Sequence, residues 1–182
     1  MLELSLHILD IVENSTRAGA KRVFIELVED KAADLLSMEI RDNGSGMSED
    51  VLKKSIDPFF TTKTVRNVGL GLPILAQAAQ RTGGRFIMES KGGEGTRVLA
   101  EFKLSHIDRQ PLGDIAGTLV TLVAGNTDVD FIYRHRHDGR EYILDTRDIK
   151  QEIGNLPINH VKVLIFIKQH VQEGLEDIGT EA

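Results

Sequence analysis

The sequence contains no cysteine in its 182 residues. That excludes a disulfide framework and any thiolate metal site, and makes a cytoplasmic address the default expectation. It also has no apolar run of the roughly 18 residues that a membrane span needs, and no charged-then-apolar leader after Met1, so nothing marks it for a membrane or for export. Positive charge is in deficit. With 22 Lys and Arg against 28 Asp and Glu, a formal charge of −6 and a pI near 5.5, it lacks the basic footprint that broad nucleic-acid binding requires. Internal repeats and low-complexity segments are absent too. What is present, 41% hydrophobic and 27% charged residues, suits a soluble globular chain with one substantial core, or two small ones. One domain plus an appendage is the expectation.

The rest of the chain is organised around Asp42-Asn43-Gly44-Ser45-Gly46-Met47. Before it, Leu36 to Arg41 alternates apolar and polar residues with period two, the pattern of a half-buried strand whose even positions face inward. The same alternation turns Asp42 inward, where a carboxylate needs a donor or must give up its charge. Gly44 and Gly46 allow φ > 0 and let a ligand lie against bare backbone. A buried acceptor beside a flat backbone floor suits the exocyclic amine of a purine, although Asp-Asn-Gly also reads as an ordinary hairpin turn.

Upstream, Leu4, Ile8 and Ile11 with Leu9 and Val12 predict a helix over 3–18, ended by Gly19. His7, Asp10, Asn14 and Arg17 form a polar stripe along one edge of it. A solvated face is the plain reading of such a stripe. Asp10 and Asn14, a carboxylate and an amide one turn apart, could also hold a water and complete an oxygen-rich Mg²⁺ shell. A strand over 23–28 follows, then the strand ending in Asp42, and a short helix that Ser48 can cap. Asp57-Pro58-Phe59-Phe60-Thr61-Thr62-Lys63 starts a polar loop, its adjacent phenylalanines odd unless something apolar covers them. The loop closes at Val68-Gly69-Leu70-Gly71-Leu72-Pro73, which opens a helix through Thr82 and leaves backbone N–H groups free to grip a phosphate. Strands over 85–90 and 96–104 complete this part, with the Thr96 hydroxyl turned inward and in need of a partner.

Taken together, these stretches resemble the ATP-binding domain shared by histidine kinases, sigma-factor regulatory serine kinases, DNA gyrase, mismatch-repair ATPases and the large heat-shock chaperones. Asp10 to Ala20 is similar to that family's asparagine box, Asp42 to Met47 to its first glycine box, Val68 to Leu72 to its second, and Gly95-Thr96 to its closing Gly-Thr. Asp57 to Lys63, with Phe60 among its binding residues, is similar to the phenylalanine box of histidine kinases. The resemblance implies an α+β fold, a two-layer sandwich of the Bergerat type, with ATP and Mg²⁺ as cofactors. In it Asp42 would accept from the adenine amine, directly or with Thr96 through a water. Gly44, Gly46 and Met47 would floor and wall the base, and Asn14 would ligate Mg²⁺. Gly69, Leu70, Gly71 and Leu72 would hold phosphate oxygens, helped by Lys63 or Arg66.

Departures from the family pattern accompany the match. Asp10 stands where the hydrolysing and serine-kinase branches usually have a glutamate base, one methylene longer. Arg17 stands where the mismatch-repair branch often has an aspartate. Asn67-Val68 replaces a common Gly-Thr pair, and the lid of about ten residues is short. The helix with the asparagine box also begins too near Met1 for the strand that often precedes it, so a later segment is expected to complete that sheet edge.

The resemblance covers residues 1–104; residues 105–182 are expected to form a C-terminal α/β extension of no recognised family. In it, Pro111 to Ala124 reads as a buried helix ended by Gly125, with a strand over 118–123 as the alternative. Asp138-Gly139 is a type I′ hairpin signal that pairs Arg136 with Glu141 across strands 129–137 and 140–145. Helices near 146–153 and 159–175 follow. His135 and His137 share a strand face and could bind a metal, but with no third ligand evident they read as surface histidines.

The sequence offers neither the upstream two-helix phosphoacceptor module of a full histidine kinase nor the lysine-bearing second domain of gyrase. The expectation is a stand-alone protein kinase that passes the γ-phosphate of ATP to a histidine or serine of a separate protein, with Asp10 as its catalytic base. The alternative is an ATP-gated regulatory subunit, anti-sigma-like, or a weak ATPase. Expected partners are ATP and a protein acceptor or regulator, with no nucleic acid and no membrane, and with oligomerisation left open.

Overall fold

The structure is a computed structural model that describes residues 3–56 and 71–180. The chain runs α1 (Leu4–Arg17), β1 (Arg22–Asp30), β2 (Leu35–Asp42), α2 (Glu49–Ile56), α3 (Gly71–Arg81), β3 (Phe86–Lys91), β4 (Gly95–Lys103), α4 (Ile115–Gly125), β5 (Asp130–His137), β6 (Arg140–Asp145), α5 (Thr146–Ile153) and α6 (Val161–Ile178). The strands form one six-stranded sheet of order β3-β4-β2-β1-β5-β6. All pairings are antiparallel except β1 with β5, which run parallel from Arg22 opposite Asp130 to Glu29 opposite His137. This is the two-layer α+β sandwich that the resemblance implies.

Period-two alternation decides which face is covered. Val23, Ile25 and Leu27 of β1, Leu36, Met38 and Ile40 of β2, Val98, Ala100 and Phe102 of β4, and Phe131 and Tyr133 of β5 are all buried. In register they form one apolar face. The intervening positions carry charges, and there Arg97 bridges Glu39 and Glu89, each at 2.8 Å. Helices pack on the apolar face: α1 on β1 and β2, α3 on β3 and β4, α5 and α6 on β5 and β6. Among the described residues no helix is long and apolar enough to cross a membrane.

The C-terminal third is built into this sheet. The β5–β6 hairpin turns at Asp138 (φ 47°) and Gly139 (φ 84°), the type I′ geometry, and sets Arg136 opposite Glu141. It lies beside β1 and completes the edge that the sequence left open. Residues 115–125 form a helix rather than a strand, capped by Asp114, whose side chain accepts from the Gly117 N–H. α4 packs against α1 and α6, so one core runs from Leu4 and Val12 through Leu119 to Ile167 and Val171. The free N–H groups at the start of α1 are met by the same region: Leu4 donates to Pro111 and Ser5 to Leu112.

His135 and His137 are not surface histidines. They are 0% and 8% exposed, on the helix-covered face under α6. The Tyr133 hydroxyl lies 2.7 Å from His135 Nδ1, His135 Nε2 lies 2.8 Å from Glu29, and His137 Nδ1 donates to the Ile178 carbonyl at 2.8 Å. The alternation that buries Phe131 and Tyr133 buries these two as well, and protein groups occupy both ring nitrogens of His135 and Nδ1 of His137.

Candidate functional site

Asp42 ends β2 half-buried, and its carboxylate is fixed on both sides. Oδ2 accepts from the Ser15 hydroxyl of α1 at 2.7 Å, and Oδ1 accepts from the Gly44 N–H at 2.8 Å. A carboxylate so held keeps unused lone pairs in a fixed direction. Asp42 pairs with Thr96 across β2 and β4, and Thr96 with Ser90 across β4 and β3, so three polar side chains form a row on the covered face. Ser90 ties the row together. Its hydroxyl accepts from the Met47 N–H at 2.9 Å and lies 2.9 Å from both the Gly95 carbonyl and the Thr96 hydroxyl.

Two glycines let the backbone close up here. A Cβ on Gly46 (φ +62°) would lie 2.0 Å from the Lys91 carbonyl oxygen, and one on Gly95 (φ +94°) would lie 2.0 Å from that of Asp42. The loop that leads into Gly46 is pinned to the end of α1, because Ser45 N–H donates to the Ala18 carbonyl at 2.9 Å.

Over this floor lies a cavity of about 450 Å³, walled by apolar Ile11, Met47 and Met88 and by polar Asn14, Asp42 and Thr96. Gly46 and Leu72 also line it. An apolar slot with a few convergent polar groups is the usual form of a small-molecule site. The structure therefore brings together Asn14, Asp42, Gly46, Met47, Leu72 and Thr96 of the residues singled out in the sequence. Gly44 supports Asp42 from behind, and Gly71 opens α3. Asp10 lies one helical turn from Asn14 and does not line the cavity. Phe60, Lys63, Arg66, Gly69 and Leu70 fall outside the described residues.

Sequence reasoning missed Ser15 and Ser90. Ser15 follows Ile8 and Ile11 along the buried edge of α1, and Ser90 follows Phe86 and Met88 on the covered face of β3. A serine that continues an apolar stripe was the available signal.

Along α1 the electrostatics are uneven. Burial pushes the Asp10 carboxyl above its ordinary range, Glu13 adds to the effect, and Arg17 opposes it. Asp10 Oδ2 is buried with no hydrogen-bond partner. Burial likewise holds the His7 imidazole below its ordinary value, against the hydrogen bond to Gln110. Arg17 also lines the cavity, donating to Asn14 Oδ1 at 3.2 Å and to Glu13 at 2.9 Å.

Among the described residues no cluster of three or more His, Cys, Asp or Glu could cage a metal. A single amide oxygen at the cavity wall instead suits Mg²⁺, which keeps several waters and takes its remaining ligands from phosphates. The residues present fit that role through Asn14, and they fit an adenine through the fixed carboxylate and the apolar walls.

Comparisons with known proteins agree with this geometry. The sensor kinase CckA of Brucella abortus is 43% identical over 65 residues, 35% of this chain and 7% of the relative. Sporulation kinase C of Bacillus subtilis is 31% identical over 88 residues, 48% of this chain and 20% of the relative. The chain thus spans only a small part of these curated relatives. Among solved structures, the Aquifex aeolicus MutL ATPase domain complexed with ADP superposes with a TM-score of 0.54 at 17% identity, covering 93% of this chain and 69% of that one. The N-terminal domain of a DNA repair protein gives 0.53 at 16% identity, covering 80% and 53%. These two likenesses establish the fold. Residues 2–106, more than half the chain, match the profile of the histidine kinase-, DNA gyrase B- and HSP90-like ATPases, and the chain belongs to that family.

Proposed function

We propose that this chain binds ATP with Mg²⁺ and passes the γ-phosphate to a group on a separate protein, as a cytoplasmic phosphotransferase of the histidine-kinase type. The observation that supports this most is the placement of Asn14 on the wall of a cavity floored by the fixed Asp42 carboxylate. In this reading adenine donates its amine to Asp42 and lies between Ile11, Met47 and Met88. Asn14 would hold Mg²⁺ beside the phosphates, where the ion would supply neutralisation of their charge. Asp10, with its carboxyl pushed up by burial, takes the proton of the attacking group. Among the described residues no histidine lines the cavity, which fits an acceptor from outside.

One observation favours a second reading. Asp10 does not line the cavity and is a methylene shorter than glutamate, which suits an ATP-gated regulatory subunit with little or no transfer. Incubating the purified chain with γ-labelled ATP and Mg²⁺, with Asp42→Asn as blank, separates the two. Acid-labile, alkali-stable label on protein marks a phosphohistidine and supports transfer. ADP without label marks an ATPase. Tight ATP binding with neither product, even when candidate acceptors are added, refutes the phosphotransferase reading.

A further inference from the structure

Of the nine large apolar side chains left exposed among the described residues, five fall between 143 and 166: Ile143 on β6, Leu156 before α6, and Val161, Ile165 and Phe166 on it. β6 is the last strand of the sheet, and α6 packs over it. Phe166 stacks on His170 with ring centroids 5.6 Å apart, and His170 meets the Tyr142 ring of β6 edge-on at 5.5 Å, so both stand on the β6 side of α6. The strand edge below them is unprotected. β6 has no proline and pairs with β5 in unbroken register, without a bulge. The two-residue hairpin makes His137 and Arg140 a hydrogen-bonded pair. By alternation Tyr142 and Leu144 also bond to β5, while the N–H and C=O groups of Glu141 and Ile143 point away from it. Among the described residues no backbone group bonds to these from the outer side.

We propose that this edge and the adjoining side of α6 form a twofold interface with a second copy of the chain, the β6 strands pairing antiparallel so that the two sheets join into one. Self-complementarity selects this occupant. Residues opposite each other share a face of the sheet, so β6 can meet its copy with Glu141, Tyr142 or Ile143 on the axis. Glu141 on the axis faces its own charge, and Ile143 on the axis sets Glu141 against Asp145; both oppose like charges. Tyr142 on the axis sets Glu141 against Ile143 and Arg140 against Leu144, with no like pair. That register also matches the outward N–H and C=O groups of Glu141 to those of Ile143 in the other copy. A twofold along the sheet normal reverses every direction in the sheet plane, so the two α6 helices run antiparallel. α6 exposes Lys162 and Lys168 in its first half and Glu173, Glu176 and Asp177 in its second. Antiparallel packing sets the basic half of each helix toward the acidic half of the other and covers Phe166. No residue of β6 or α6 lines the cavity, so the interface stands independently of the phosphotransfer reading.

Sedimentation velocity on the full chain across a dilution series reads the assembly directly. A concentration-dependent species of twice the 20.2 kDa chain mass is expected, and a monomer at every concentration overturns the proposal. Ile143→Pro deletes an N–H that the hairpin does not use, and Phe166→Glu replaces a ring that is 54% exposed. Each is expected to raise the dissociation constant roughly tenfold or more, with the far-ultraviolet circular dichroism of the folded chain kept. A dimer that both variants leave intact is held by another surface and overturns the assignment.

Because the chain has no cysteine, introduced ones report the register. Glu141→Cys and Ile143→Cys chains, mixed and then oxidised, are expected to give a disulfide-linked heterodimer, since a hydrogen-bonded antiparallel pair sets Cα atoms about 5.5 Å apart, within disulfide range. A dimer whose mixture forms no such link, or in which Ile143→Cys links only to itself, overturns the strand pairing.

Discussion

Replacing Asp42 by asparagine tests the base site most sharply, because the structure separates its effect on stability from its effect on binding. The carboxylate accepts from Gly44 N–H at 2.8 Å and from the Ser15 hydroxyl at 2.7 Å. In Asp42→Asn the amide oxygen can keep the Gly44 bond, which turns the NH₂ toward Ser15. Ser15 tolerates this, because its hydroxyl is also 3.2 Å from the Ile11 carbonyl and can donate there while accepting from the amide. The folding cost should therefore stay near or below about 1 kcal/mol. Binding has no such escape. The adenine amine loses a charged acceptor and meets a donor, a change of about 1.5–3 kcal/mol, or roughly 10- to 150-fold in affinity. The sign should reverse for a 6-oxo purine, whose carbonyl can accept from the new NH₂. Calorimetric titration with ATP and ITP, beside a thermal melt, reads all of this. Wild type should prefer ATP and the variant should lose that preference, with little change in melting temperature. Equal loss of both nucleotides with a large drop in melting temperature would mean that Asp42 holds the loop rather than the base, and unchanged ATP affinity would mean that the base lies elsewhere.

Ser90→Ala should cost about 1–3 kcal/mol, since it orphans the Met47 N–H and removes the partner of Thr96; urea unfolding should show the loss and ATP titration a weaker fit. Gly174→Ala drives a methyl to within 2.1 Å of the Tyr142 ring where α6 crosses β6, so the melt should fall by roughly 1–3 kcal/mol while ATP affinity holds, because neither residue lines the cavity. For Glu29, burial pushes the carboxyl up, but hydrogen bonds from His135 and Thr180 and the charges of His135 and His137 outweigh it and hold it below its ordinary 4.5. Its folded-state pKa lies under its unfolded one, so its contribution is complete above about pH 4.5 and fades as pH falls through the lowered value. Glu29→Gln should then destabilise more at pH 7 than at pH 4, as read by urea midpoints, and an equal loss at both would assign the effect to packing.

The parts that could be read from sequence are those set by local periodicity or by backbone chemistry. Alternation through Leu36 to Arg41 places Asp42 inward, and of the two glycines that follow it Gly46 takes φ +62°, where a Cβ would lie 2.0 Å from the Lys91 carbonyl oxygen. Asp138-Gly139 set its hairpin register to the residue. Ser15 and Ser90 escaped because a serine carries no period of its own, and what it does depends on a partner 27 or 43 residues away. His135 and His137 were misjudged for a related reason. Nothing local to β5 reveals that β1 will pair with it in parallel or that α6 will lie across it.

That parallel pairing links the C-terminal region to the candidate site. β5 seats against β1, whose Val23 pairs with Asp42 of β2, while α4 packs on α1 and the 110–112 segment holds the first turn of α1. α1 carries His7, Asp10, Asn14 and Ser15 in one rigid element, so its pitch against the sheet sets the Ser15–Asp42 bond and the position of Asn14 together. A perturbation of residues 105–182 that shifts α1 by even 1 Å would stretch a 2.7 Å hydrogen bond beyond the range in which one exists. Among the described residues the C-terminal third thus helps to seat α1 without contributing a side chain to the cavity.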